Sequence, residues 1–141
     1  MNQIRRIFVI DDQRDMVVSL EAELRAFGFD NIITPFMRAP LALRRIQKLI
    51  GAGIDLPDLI FLDIEMPVMD GWQFLEALDG ITPIAPQQST VVLLTEKDIS
   101  QQYIEMARQH GAQWVLQKPL TAEKLRALLS AVYQVQDLFA D

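Results

Sequence analysis

Several side chains that can do chemistry stand just beyond apolar runs of this chain. Asp11 and Asp12 follow Arg6 to Ile10, Asp63 and then Glu65 follow Leu59 to Leu62, Thr95 follows Thr90 to Leu94, and Lys118 comes after Trp114 to Leu116. Three aspartates brought together repel one another, and a fold tolerates this when a cation or a lysine compensates the charge. Oxygen donors without histidine or cysteine suit a hard divalent ion, Mg²⁺ first and Mn²⁺ almost as well. Lys118 and Thr95 are donors, one charged and one neutral, suited to the oxygens of a phosphoryl group. An aspartate can itself be the nucleophile, forming an acyl phosphate while metal and lysine neutralise the equatorial oxygens. Asp63, at the end of what should be a central strand, is the candidate nucleophile. Asp12 is the candidate direct metal ligand, with Asp11 acting through water. Such chemistry is mostly positioning and charge neutralisation, so it needs no general-base histidine.

Five apolar runs read as the strands that position these groups: Arg6 to Ile10, Asn31 to Phe36, Leu59 to Leu62, Thr90 to Leu94 and Trp114 to Leu116. The first, third and fourth are continuously apolar, as in a parallel sheet covered by helices on both faces. Helical spacing fills the gaps. Val17, Leu20, Leu24 and Phe27 precede Gly28. Pro40 to Ile50 carries Leu41, Ala42, Ile46 and Leu49 inward, and Gly71 to Leu78 carries Trp72, Leu75 and Leu78. A fourth helix opens at Asp98 as N-cap and turns Ile104 and Ala107 inward until Gly111. A fifth opens at Thr121 and runs through Leu125, Leu128, Leu129 and Val132 towards Leu138. Thr82 to Ser89 is polar and proline-interrupted, a surface loop. The alternation predicts a three-layer α/β domain with a doubly wound, five-stranded parallel sheet, whose ligand site lies beyond the carboxyl ends of the strands.

At 141 residues, 50% hydrophobic and 23% charged, the chain is too apolar for disorder and reads as one domain over 1–141 with no separate output domain. Its lack of cysteine excludes disulfides and sulfur-ligated metals, and its single histidine, His110, excludes multi-histidine zinc sites. His110 stands before Gly111 and reads as a helix C-cap. No apolar run reaches the ~20 residues of a membrane helix. Asp11 and Asp12 interrupt the only run that could mimic a leader, so the expected location is cytoplasmic, without membrane attachment. A net charge of -6 argues against nucleic acid as a direct partner. Arg5 with Arg6, and Arg44 with Arg45 and Lys48, lie on different elements and lack interleaved aromatics.

Four segments occur in order, each after a strand: Val9-Ile10-Asp11-Asp12; Leu62-Asp63-Ile64-Glu65-Met66-Pro67-Val68-Met69-Asp70-Gly71; Leu93-Leu94-Thr95; and Gly111-Ala112 leading to Gln117-Lys118-Pro119. In these the chain resembles a receiver domain of the two-component response-regulator family, of the single-domain kind typified by the chemotaxis regulator. The resemblance implies a flavodoxin-like (βα)5 fold with strand order 2-1-3-4-5. It implies that Asp63 accepts a phosphoryl group from the phosphohistidine of a sensor histidine kinase or a histidine phosphotransfer protein. Mg²⁺ would be held by Asp11, Asp12, Asp63 and the backbone carbonyl of Glu65. Thr95 would contact the phosphoryl group and shift on phosphorylation, Lys118 would pair with a phosphoryl oxygen, and Pro119 would follow through a cis bond. Self-phosphorylation and autodephosphorylation are then the implied activities, and multiple turnover is not. The output would be a protein surface made by the fourth helix, fifth strand and fifth helix, facing a downstream effector or a second copy in a homodimer.

Several positions depart from that pattern. Three residues before the lysine the family carries Tyr or Phe, whose ring follows the threonine, and here stands Val115, with Trp114 one residue earlier. Strand alternation sends those two to opposite faces. Glu96 replaces the usual small residue after Thr95. Glu65 and Lys97, each two beyond a site residue, are expected to flank the entrance, pairing there or steering the attacking water, and to tune the lifetime of the phosphoryl group. Asp63 lies 51 residues after Asp12, a few more than usual, with the excess placed in Lys48 to Pro57. Two alternatives follow: a receiver-like interaction module whose switching is weakened or lost, and a phosphatase acting on small molecules, which would want a second acid and a cap.

Overall fold

The structure, a computed structural model, describes residues 4–29, 33–81 and 89–132. Elements alternate as β1 (Ile7–Ile10), α1 (Arg14–Ala26), β2 (Ile33–Phe36), α2 (Ala39–Gly51), β3 (Leu59–Asp63), α3 (Gly71–Ile81), β4 (Thr90–Thr95), α4 (Gln101–Gln109), β5 (Trp114–Gln117) and α5 (Ala122–Val132). The strands form one parallel sheet in the order β2-β1-β3-β4-β5, the doubly wound topology expected. The loop expected over Thr82 to Ser89 lies outside the described residues except for Ser89, and so does the approach of the last helix to Leu138.

Alternation along each strand divides the interior in two. Phe8, Ile10, Ile60, Leu62, Val91 and Leu93 pack with α2 and α3 on one face. Ile7, Val9, Leu59, Phe61, Val92 and Leu94 pack with α1 and α5 on the other. Covering both faces is what makes β1, β3 and β4 apolar without interruption, and each side chain so buried contributes roughly 1.5–3 kcal/mol. Among the described residues no helix is long and apolar enough to cross a membrane.

Four sequence expectations need correction. The N-cap of α4 is Ser100, whose hydroxyl accepts from Tyr103 N at 3.1 Å, and not Asp98. Asp98 instead accepts from the Gln117 side chain at 3.0 Å, which ties the loop to β5. Leu41 points outward because the inward stripe of α2 is Ala39, Ala42, Leu43, Ile46 and Leu49. Ile104 is likewise exposed, and Ala107 is the buried residue of α4. In α3 the buried stripe is Gly71, Phe74, Leu75 and Leu78, with Trp72 only partly covered.

The segment between Asp63 and α3 is tightly folded. Gly71 N donates to Ile64 O at 2.9 Å, and a Cβ at Gly71 would meet Ile64 Cα at 2.9 Å and the Asp63 carbonyl at 3.0 Å, so only glycine fits this approach. Asp70 and Gln73 cap each other's backbone N–H at 2.8 and 2.9 Å. Val68 sits at φ 69° and is 96% exposed. A β-branched residue in the left-handed region is strained by about 1–2 kcal/mol, and there is no packing here to lose. Val68→Asn is therefore expected to raise stability by about 1 kcal/mol in urea unfolding. An unchanged or lower midpoint would show that the valine is not strained.

Candidate functional site

The carboxyl ends of β1, β3 and β4 lie side by side, because Ile10 pairs with Leu62 and Asp63 with Leu94. Residues far apart in sequence therefore meet. Carboxylate oxygens of Asp11, Asp12 and Asp63 lie within 4.8 Å of one another, with Asp11 and Asp63 buried and Asp12 half-buried. β5 brings in the cation. Lys118 N donates to Thr95 O at 2.7 Å, its Nζ lies 2.9 Å from Asp11 Oδ2 and 3.4 Å from Asp63 Oδ1, and its side chain is 5% exposed. The Lys118–Pro119 bond is cis, as the resemblance implies.

The charges do not balance. Burial first, then the neighbouring Asp11 carboxylate, pushes the Asp63 carboxyl up to about 8 against the opposing pull of Lys118. Burial alone would lower Lys118, but the carboxylates of Asp11 and Asp63 outweigh it and hold the ammonium above its ordinary range. Among the described residues, buried Asp11 Oδ2 has no hydrogen-bond partner and is ion-paired with Lys118 alone. A pocket of three carboxylates with one lysine and only oxygen donors fits a hard divalent cation.

Thr95 is fully buried and tied to a second cluster. Its Oγ1 lies 2.9 and 3.1 Å from the two Glu65 carboxylate oxygens and accepts from Lys97 N at 3.0 Å. The Tyr103 hydroxyl stands 3.1 Å from both Thr95 Oγ1 and Glu65 Oε2. Glu96 N also donates to Glu65, at 3.0 Å, while Glu65 N donates to Asp63 Oδ1 at 3.2 Å. The Glu65 carboxylate thus faces β4 and α4.

Across the mouth runs a third set of contacts. Gln13 accepts from Lys118 Nζ at 3.0 Å and donates to Glu96 Oε1 at 2.9 Å. Glu96, the unusual residue after Thr95, is exposed and meets Gln13 at this mouth.

Asp11, Asp12, Asp63 and Lys118 come together as expected, and Thr95 and Glu65 adjoin them. Lys97 and Glu65 do not pair, since Glu65 is engaged with Thr95 and Tyr103 and the Lys97 side chain is exposed. Val115 packs on the α2–α3 face and Trp114 on the other, as alternation requires. His110 caps α4, with Nδ1 at 2.8 Å from Met106 O and Nε2 at 3.3 Å from Glu76. Gln13 and Tyr103 were missed by sequence reasoning. Tyr103 shares a helical stripe with Ala107 and His110, three residues after the cap Ser100, and that spacing was the available signal.

A family model described as the response regulator receiver domain matches residues 7–130. The chain is 36% identical over 128 residues to the probable chemotaxis protein CheY of Rhizobium etli, covering 91% of this chain and 92% of that protein. It is 31% identical over 127 residues to the transcriptional regulatory protein PrrA of Mycobacterium tuberculosis, covering 90% of this chain and 49% of PrrA, so it spans about half the length of that relative. The fold matches the receiver domain of the histidine kinase CKI1 from Arabidopsis thaliana, complexed with Mg²⁺ and BeF₃⁻, at TM-score 0.72 and 21% identity over 89% of this chain and 90% of that one. The acidic cluster at the strand ends, the strand order and these likenesses agree: the chain belongs to the response regulator receiver domain family of phosphorelay signalling.

Proposed function

We propose that this chain takes up a phosphoryl group on Asp63 from the phosphohistidine of a sensor histidine kinase or a histidine phosphotransfer protein. It then signals through an altered protein-binding surface and resets itself by hydrolysis. The convergence of Asp11, Asp12, Asp63 and Lys118 at one end of the sheet carries this reading. In the transfer, an Asp63 carboxylate oxygen attacks phosphorus and the P–N bond breaks. Its electron pair stays on the imidazole nitrogen, which takes a proton from solvent. Lys118, already beside Asp63 Oδ1, is placed to follow the negative charge onto the transferred oxygens. Mg²⁺, or Mn²⁺ in its place, held by Asp11, Asp12, Asp63 and the Glu65 carbonyl, supplies further neutralising charge when bound. Resetting is attack by water on phosphorus with rupture of the P–O bond to Asp63; the water oxygen leaves in inorganic phosphate and one proton passes to solvent. The Gln13–Glu96 bridge narrows the approach of that water. Thr95, Glu65, Glu96, Lys97 and Val115 are the positions that set how the state is read and how long it lasts. The output surface is α4, β5 and α5, towards an effector protein or a second copy.

The CKI1 receiver complexed with Mg²⁺ and the phosphoryl mimic BeF₃⁻ supports the same assignment. A second reading, an interaction module that binds its partner without switching, is favoured by one observation: the Thr95 hydroxyl already has a carboxylate partner in Glu65. Incubation with acetyl phosphate and Mg²⁺ separates the two. The intact protein is expected to gain the mass of one phosphoryl group, and chelation of divalent ions to prevent it. A chain that takes up no phosphoryl group from any donor belongs to the second reading.

A further inference from the structure

We propose that Tyr103 of α4 is the positioning residue that carries the state of Asp63 out to the α3–α4 surface, through the Glu65 carboxylate that it shares with Thr95. The proposal rests on Asp63 being the acceptor. In the resting chain Glu65 gathers the Thr95 hydroxyl at 2.9 Å, the Tyr103 hydroxyl at 3.1 Å and Glu96 N at 3.0 Å. Thr95 has a single hydroxyl proton, so giving it to a phosphoryl oxygen withdraws it from Glu65. Thr95 is one residue beyond Leu94, the register partner of Asp63, and Glu65 is hydrogen-bonded to Asp63 through its own N–H, so both lie within reach of a group built on Asp63. A doubly charged phosphoryl group there repels the Glu65 carboxylate and is a stronger acceptor than Glu65 for the Thr95 hydroxyl and Glu96 N–H. Both effects dissolve the clasp, and the Tyr103 hydroxyl loses the Glu65 acceptor that helps to hold its ring.

That ring is well placed to transmit the loss. It packs on Trp72, with centroids 5.5 Å apart, and Trp72 packs in turn on His110 at 5.0 Å, so the three aromatics join the first turn of α3 to both ends of α4. Burial, reinforced by the Glu65 charge, pushes the Tyr103 phenol up to about 12, so it remains a neutral donor at any physiological pH. β5 offers Val115 on the same face, which has no polar atom with which to sense Thr95. The sensing aromatic therefore stands on a helix and not on the strand.

The chain has two tryptophans, Trp72 and Trp114, so 5-fluorotryptophan labelling gives two ¹⁹F resonances, assigned with Trp114→Phe. Addition of Mg²⁺ and beryllofluoride is expected to shift the Trp72 resonance, while the separate ¹⁹F signal of bound beryllofluoride reports occupancy of Asp63. In Tyr103→Phe, which keeps the ring and removes only the hydroxyl, the bound signal should persist and the Trp72 shift be lost. Glu65→Ala should move the resting Trp72 resonance towards the beryllofluoride position without ligand. Bound beryllofluoride with an unmoved Trp72 would overturn the proposal and leave the acceptor assignment standing, as would a Trp72 shift undiminished in Tyr103→Phe. Absence of bound beryllofluoride in the unsubstituted chain would overturn the acceptor assignment itself, and the proposal with it.

Discussion

Lys118→Ala is expected to lose about 3–5 kcal/mol of stability at pH 8, because it strips the cation from two buried carboxylates and leaves them facing each other. The ammonium lies 2.9 Å from Asp11 and 3.4 Å from Asp63 with its side chain almost fully covered. Acid relieves the deficit, since a protonated carboxyl no longer needs the lysine. Urea unfolding of the two proteins should therefore give curves that converge as the pH falls towards 4 and diverge as it rises. Phosphoryl uptake should also drop, by roughly 10²–10³-fold, the usual consequence of removing one donor aimed at developing charge. A loss below about 1 kcal/mol at pH 8 would place Lys118 among ordinary surface ion pairs and sink the argument.

Asp63→Asn is expected to take up no phosphoryl group and, without metal, to be more stable than the parent. The carboxyl is held at about 8 against 3.8 in the open chain, so the fold prefers its protonated form. The stability this group contributes is fully present below pH 3.8 and is lost as the pH rises through about 8. Asparagine imitates the protonated state, so the gain should be near zero at pH 4 and grow to on the order of 1–3 kcal/mol above pH 8, where the charge it removes was buried beside Asp11. For a chain of this size each kcal/mol is worth roughly 3 °C in Tm. Millimolar Mg²⁺ should narrow or reverse the difference, because only the parent keeps all three carboxylates for the ion, and a ligand at 100 times its Kd adds about 2.7 kcal/mol. A variant that melts below the parent at pH 8 without Mg²⁺ would refute the charge imbalance.

The strand ends were legible because physics forces them to be. β1, β3 and β4 lie covered on both faces, so their apolar runs stop where the ligand site begins, and Asp11, Asp63 and Thr95 stand out against Ile10, Leu62 and Leu94. The order of the sheet came with the resemblance. The start of α4 was not legible, since Asp98 and Ser100 are both good caps and the exposed loop before them has no periodicity to choose between them. Residue type alone places Leu41 and Ile104 inward, while helix phase turns them out. The direction of Glu65 was hidden for another reason: its offset from Asp63 is visible, but which way the side chain turns depends on Tyr103, 38 residues away. The bridge from Lys118 to Gln13 spans 105 residues, beyond any local pattern.

That bridge also restricts what can stand at position 13. Its carbonyl end meets an ammonium and its NH₂ end a carboxylate, so the side chain must be acceptor and donor at once, in a fixed orientation. Glutamate would satisfy Lys118 and oppose Glu96; lysine would do the reverse; a hydrocarbon would serve neither. An uncharged amide is the one common side chain of that length with both polarities, and being neutral it spans the opening without adding to the surplus of negative charge beneath it.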